Sequence, residues 1–157
     1  MKYDPPTAED DVERRVLHDV STFGCHVIKV MGDDSGPGFA YSVGLFHNFN
    51  HEEILIVGLD LDMMQGIINN LMADIRKGTR FQAGSRVAGI LERFDCEFRE
   101  VEVSHYRELL GCATWFYRGT DFPALQCVWP DMQGHFPWQP HFNAKLRSLQ
   151  PTYGSRT

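Results

Sequence analysis

Two short segments hold most of the side chains that could do chemistry. Residues 41–53 carry Tyr41, Ser42, His47, His51, Glu52 and Glu53, and residues 124–138 carry Gln126, Trp129, Asp131, His135 and Trp138. His47 and His51 stand four apart, the spacing at which a helix turns two imidazoles toward one metal ion. Two Asn residues nearby and a strand-like run before them argue against a helix, and no Glu lies between the histidines. No metal ligand is therefore assigned. Tyr41 and Ser42 alternate in facing, so one of them at most points into a shared pocket. The second segment reads as a strand that breaks at Trp129-Pro130 into a rigid, aromatic-walled loop. Ordered loops of this kind are where binding and catalytic groups tend to sit. Asp131 with His135 suits an acid–base pair, and a buried Gln126 would read the polar edge of a ligand through its amide. The structural alternative is that Asp131 caps the turn before Gly134, the tryptophans close the core and His51 braces its loop.

Two look-alike motifs are set aside. Cys112 and Arg118 have the Cys-x5-Arg spacing of protein tyrosine phosphatases, and Trp129-Pro130-Asp131 is similar to their acid loop. A phosphate loop needs small residues that aim backbone N–H groups at the anion, and residues 113–117 are mostly bulky, with a helical pattern. The Gly-rich stretch 32–38 lacks the Lys-Ser/Thr pair of a phosphate-binding loop. The candidate ligand-binding residues are thus Tyr41, Ser42, His51, Gln126, Trp129, Asp131 and Trp138. The candidate catalytic residues are His51, Glu52, Asp131 and His135. No cofactor is assigned.

The elements that must position these groups follow from periodicity. Thr7 is read as the N-cap of a first helix, with Asp10 at N3, apolar residues from Val12 to Phe23 and a stop at Gly24. Residues 25–46 read as a hairpin of two strands. The run from Glu53 to Leu59 reads as a central strand covered on both faces. Asp60 caps the clearest helix, with the stripe Leu61, Met64, Ile67, Ile68, Leu71, Met72 and Ile75 and an end at Gly78. Val87–Leu91 and Cys96–Val103 read as strands, the second with a solvated charged face and a slip near Arg99-Glu100 that would mark a bulge. Ser104 is read as the cap of a helix from His105 to Tyr117, and Ala124–Trp129 as the last strand. The expected fold is a single α+β domain with a mixed, mostly antiparallel sheet and helices packed on one face. Its core spans residues 7–140, residues 1–6 are a loose arm and residues 141–157 are a mobile tail.

Size and charge narrow the function. The 157 residues suit one domain. A net charge of -6 argues against a nucleic-acid surface. The four cysteines at 25, 96, 112 and 127 form no CxxC pair and read as reduced, buried thiols. No apolar run spans a bilayer and no signal peptide is visible, so a soluble cytoplasmic protein without a membrane partner is expected.

The runs Phe39–Leu45 (FAYSVGL), His51–Leu59 (HEEILIVGL) and Leu125–Asp131 (LQCVWPD), followed by Gly134 and Phe136–Trp138 (FPW), resemble an uncharacterised bacterial family, domain-of-unknown-function family 4262. The resemblance covers roughly residues 10–140 and departs at Glu52, where the family more often has Pro. It implies membership without an activity to carry over. Three readings remain: a binding domain for a small molecule or protein partner, a hydrolytic and metal-dependent or metal-free enzyme using His51 and Asp131, and a homo-oligomer subunit anchored on the Trp129–Trp138 loop.

Overall fold

A computed structural model describes residues 4–154; residues 1–3 of the expected arm and residues 155–157 of the expected tail lie outside the described residues. Six strands form one sheet: β1 (His26–Val30), β2 (Phe39–Val43), β3 (Glu53–Val57), β4 (Arg86–Val87), β5 (Cys96–Glu100) and β6 (Ala124–Val128), in the order β1-β2-β3-β6-β5-β4. Every pairing is antiparallel except β3 with β6. The mixed, mostly antiparallel α+β domain is therefore present.

The helices differ from expectation, because they lie on both faces. On one face, Met64, Ile67, Ile68, Leu71 and Ile75 of α3 (Leu61–Arg76) pack with Ala40, Ile54, Ile56, Leu125 and Cys127. On the other, Val16 and Val20 of α1 (Asp11–Phe23) join Tyr41, Val43, Leu55 and Val57. The same cluster includes Tyr106 and Leu109 of α4 (Tyr106–Leu109) and Ala113, Phe116 and Tyr117 of α5 (Gly111–Tyr117). The reason lies in β3 itself. All five of its residues are buried, and a strand that is apolar on both sides needs a layer on each.

Local corrections have local causes. Asp10, not Thr7, caps α1: its carboxylate accepts the Glu13 N–H at 2.8 Å, and the Glu13 carboxylate accepts the Glu9 N–H at 2.8 Å. Gly24 closes α1 with φ 103°, and a Cβ there would crowd the Phe49 ring and the Arg76 guanidinium. The expected helix 105–117 is two helices, because Leu110 leaves helical geometry (φ -114°, ψ 44°) before Gly111, and Ser104 sits inside a preceding 3-10 turn instead of capping. The Tyr41 hydroxyl then accepts the Cys112 N–H at 3.0 Å, satisfying a donor that the break exposes. Residues 47–50, read as a plain connection, belong largely to a short helix, α2 (Leu45–Phe49). Of the expected strand 87–91 only Val87 pairs, with Cys96. Residues 141–154 fold back over the domain: Gln150 is buried, and Leu149 lies so close to Gly58 that a Cβ at Gly58 would sit 2.1 Å from the Leu149 carbonyl oxygen.

Candidate functional site

The two segments singled out by sequence touch where β3 and β6 begin and then diverge, so that their chemistry-bearing ends lie at opposite ends of the sheet. β3 and β6 run parallel with Glu53 beside Ala124. His51 and Glu53 therefore sit at the start of the pair, while Trp129 and Asp131 follow its end. At about 3.3 Å per residue, roughly 13 Å of strand separates the two ends. His51 and Asp131 are thus kept apart, while Tyr41 and Gln126 lie level with each other on either side of Leu55.

The 129–138 end is internally bonded. Trp129 donates its indole N–H to the Val57 carbonyl at 2.7 Å, and its main chain pairs twice with the Gln150 amide, at 3.0 and 2.8 Å. The Gln126 amide donates to Pro151 O at 2.9 Å and accepts from Tyr153 N–H at 3.1 Å. Asp131 accepts the backbone N–H groups of Gln133, His135 and Asn143. Burial alone would raise its carboxyl, but those backbone N–H groups and His135 turn the net shift downward. His135 Nδ1 lies 3.7 Å from the Asp131 carboxylate, too far for a hydrogen bond. Trp138 is 38% exposed and Phe136 stacks on it.

At the 41–53 end, His51 is wholly buried with both ring nitrogens engaged. Nε2 accepts the Phe81 N–H at 3.0 Å, so Nδ1 carries the proton and donates to Glu52 O at 2.9 Å. Burial disfavours its imidazolium and lowers the pKa. Glu52 is half-buried beside this ring. Glu53, which sequence reading assigned only to a strand, is a buried carboxylate with five donors. They are the Ser42 and Tyr117 hydroxyls and the backbone N–H groups of Gly44, Leu45 and Phe46 at the start of α2. Burial pushes its pKa up, and the bonds from Tyr117, Ser42, Phe46 and Gly44 pull the other way. The sequence signal was an acid at the head of a run buried on both faces.

Glu53 thereby fixes α2, and α2 fixes the turn from α1 into β1. The Asn48 side-chain amide donates to Val20 O at 2.9 Å and to Gly24 O at 2.8 Å. The turn held by this clamp leads into a groove of about 420 Å³ between α1, β1 and α3. Arg15, Asp19 and Phe23 reach it from α1 at four-residue spacing, and Gln65, Asn69, Met72 and Arg76 from one stripe of α3. Between them, His26 Nδ1 meets the Asp19 carboxylate at 2.7 Å, with side chains 16% and 23% exposed. An aspartate on Nδ1 fixes the tautomer and leaves Nε2 as the working nitrogen. Among the described residues His26 Nε2 has no hydrogen-bond partner. Cys25 lines the same groove, but burial, first of all, pushes its thiol up to about 12, so it stays protonated. Sequence reading missed Asp19 and His26. They are seven residues apart across a helix stop, where no periodicity relates them.

Among the described residues no group of three or more His, Cys, Asp or Glu is placed to hold a metal ion, and no helix is long and apolar enough to cross a membrane. Residues 112–117 are helical with Arg118 as a left-handed C-cap, and burial raises the Cys112 thiol to about 11.

Fold and site together define an α+β domain with a single open six-stranded sheet and a polar groove at the edge of β1. The chain matches the model of a family described as a domain of unknown function (DUF4262) over residues 19–143, and it belongs to that family. No curated protein and no solved structure matches it.

Proposed function

We propose that this chain is a binding domain for a small anionic ligand held in the groove between α1, β1 and α3. The observation that carries the reading is the Asp19–His26 pair at 2.7 Å, half-buried in a concavity. Asp19 orients the ring, so Nε2 is left to accept a hydrogen bond from a ligand O–H or N–H. Arg15 and Arg76, on the two flanking helices, supply charge for an oxyanion on the same ligand. The pocket first expected from Tyr41, Ser42, His51, Gln126, Trp129, Asp131 and Trp138 gives the reading less support, because most of those polar groups are used inside the protein. The hydrolytic reading through His51 and Asp131 meets the same obstacle. A homo-oligomer anchored on Trp138 has that side chain's exposure in its favour, and sedimentation at high concentration tests it: a monomer argues against it.

The test of the groove is an NMR titration with inorganic phosphate, which carries both an oxyanion and an O–H, followed at the histidine ring signals. The His26 signals should move saturably with a Kd in the millimolar range, about 4 kcal/mol of binding. Arg76→Gln should weaken that binding about tenfold, the effect of one charge-assisted hydrogen bond. A His26 ring that ignores phosphate would overturn the assignment.

A further inference from the structure

A second feature, independent of the groove, lies at the opposite edge of the sheet. Arg86 of β4 pairs across from Glu97 of β5, and Arg99 stands two residues further along the same face. Glu97, expected on a solvated face, is only 5% exposed. It accepts Arg86 Nε at 2.7 Å on one oxygen and Arg99 Nε at 2.6 Å on the other. Each guanidinium also lies over a ring: Arg86 is 4.6 Å from the Phe136 centroid and Arg99 is 3.7 Å from the Trp138 centroid. The two rings are parallel within 5° at 5.1 Å. Each guanidinium is thus fixed both at its Nε and at its flat face.

Fastening the 129–138 loop explains the ring contacts but not the number of charges. One arginine neutralises Glu97, while a second adds like-charge repulsion and leaves the cluster at a net +1. Both arginines use only Nε on protein, so among the described residues their terminal Nη groups have no protein acceptor. The side chains are 49% and 39% exposed. The result is a pair of guanidinium forks, already oriented and facing water, in a chain of net charge -6.

We propose that Arg86 and Arg99 receive the carboxylate of a small organic acid. Charge selects this ligand over a phosphate dianion, since one carboxylate brings the cluster to zero and a dianion overshoots. Geometry agrees, because a planar carboxylate on the Nη side repeats what Glu97 does on the Nε side, and guanidinium forks match it with paired bonds. Trp138, at the rim, supplies an apolar surface for the carbon skeleton of the acid.

The experiment titrates the full chain with benzoate, and separately with inorganic phosphate at matched ionic strength, following the Trp138 indole N–H signal. The expected result is a saturable shift with benzoate, tighter than with phosphate, weakened at least about fivefold in Arg86→Gln. Arg86→Lys keeps the charge but loses the fork, so it should weaken binding too, and it decides the matter if Arg86→Gln fails to fold. A shift that does not saturate, tighter binding of phosphate, or unchanged benzoate binding in the variant that folds would overturn the proposal. His26 signals read the groove separately, so failure of one site is distinguishable from failure of the other.

Discussion

The loop Trp129–Trp138 and the turn from α1 into β1 contain similar raw material, aromatic rings beside an Asp and a His, and the fold uses them differently. In the loop, the Asp131 oxygens accept three backbone N–H groups, and the His135 ring comes no closer than 3.7 Å. In the turn, Asp19 spends an oxygen on His26 Nδ1 and leaves the other ring nitrogen facing a groove. A polar side chain serves a ligand only through the donors and acceptors that the fold leaves unused. By that measure most polar groups of the conspicuous loop serve as a fastening, and the plain-looking turn is the better-supported place for the proposed ligand.

The largest expected effect breaks the support of the turn. Glu53→Gln replaces a pure acceptor with an amide whose NH2 must face either the two donors on Oε1 or the three on Oε2. It should cost about 3–5 kcal/mol in urea unfolding. It should also blunt phosphate binding at His26, since α2 would lose its anchor. Next comes the fastening. Gln150→Ala strands the buried N–H and C=O of Trp129 and should cost about 2 kcal/mol. Phosphate binding at His26 should be unchanged in that variant; a parallel loss would mean that the two ends are not separate.

A smaller effect appears in the pH dependence. The folded state depresses the His51 pKa below its ordinary 6.5, chiefly through burial. At lower pH the unfolded chain therefore binds the proton that the folded chain refuses. The stability this ring contributes is complete above about pH 6.5 and is lost as the pH falls from there through the lower folded value. Urea midpoints at about pH 7 and about pH 5 should show a smaller acid loss in His51→Gln than in the parent chain. An equal loss in both would remove His51 from the account.

Much of the framework was legible in the sequence, because periodicity reports burial. The α3 stripe from Leu61 to Ile75 and the apolar β3 run appear where their patterns place them. The β3 run also held the clue to the second helical layer: a strand apolar on both sides is incompatible with helices on one face only. The alternation of Cys96–Glu100 was legible, yet Glu97 proved buried because Arg86 arrives from β4 and Arg99 from its own strand. A non-local partner of that kind leaves no mark on local pattern. The site residues show a related limit of local pattern. His51, Gln126, Trp129 and Asp131 were correctly seen as unusual, but their partners Phe81, Pro151, Tyr153, Gln150 and Asn143 lie 12 or more residues away. Whether a polar group is satisfied is decided by those distant contacts. The segment after Pro140 has no periodicity of its own, and its place comes from side chains such as Gln150 that complete another element's hydrogen bonds.

The most direct test compares His26 and His51 in one spectrum. Long-range ¹H–¹⁵N correlation reads the tautomer of each ring and, on addition of inorganic phosphate, which ring responds. The account predicts the Nδ1-protonated tautomer for both His26 and His51, a saturable phosphate response at His26, and none at His51. A silent His26, or a response at His51 equal to that at His26, would contradict the claim that the turn from α1 into β1 is where this domain meets its ligand.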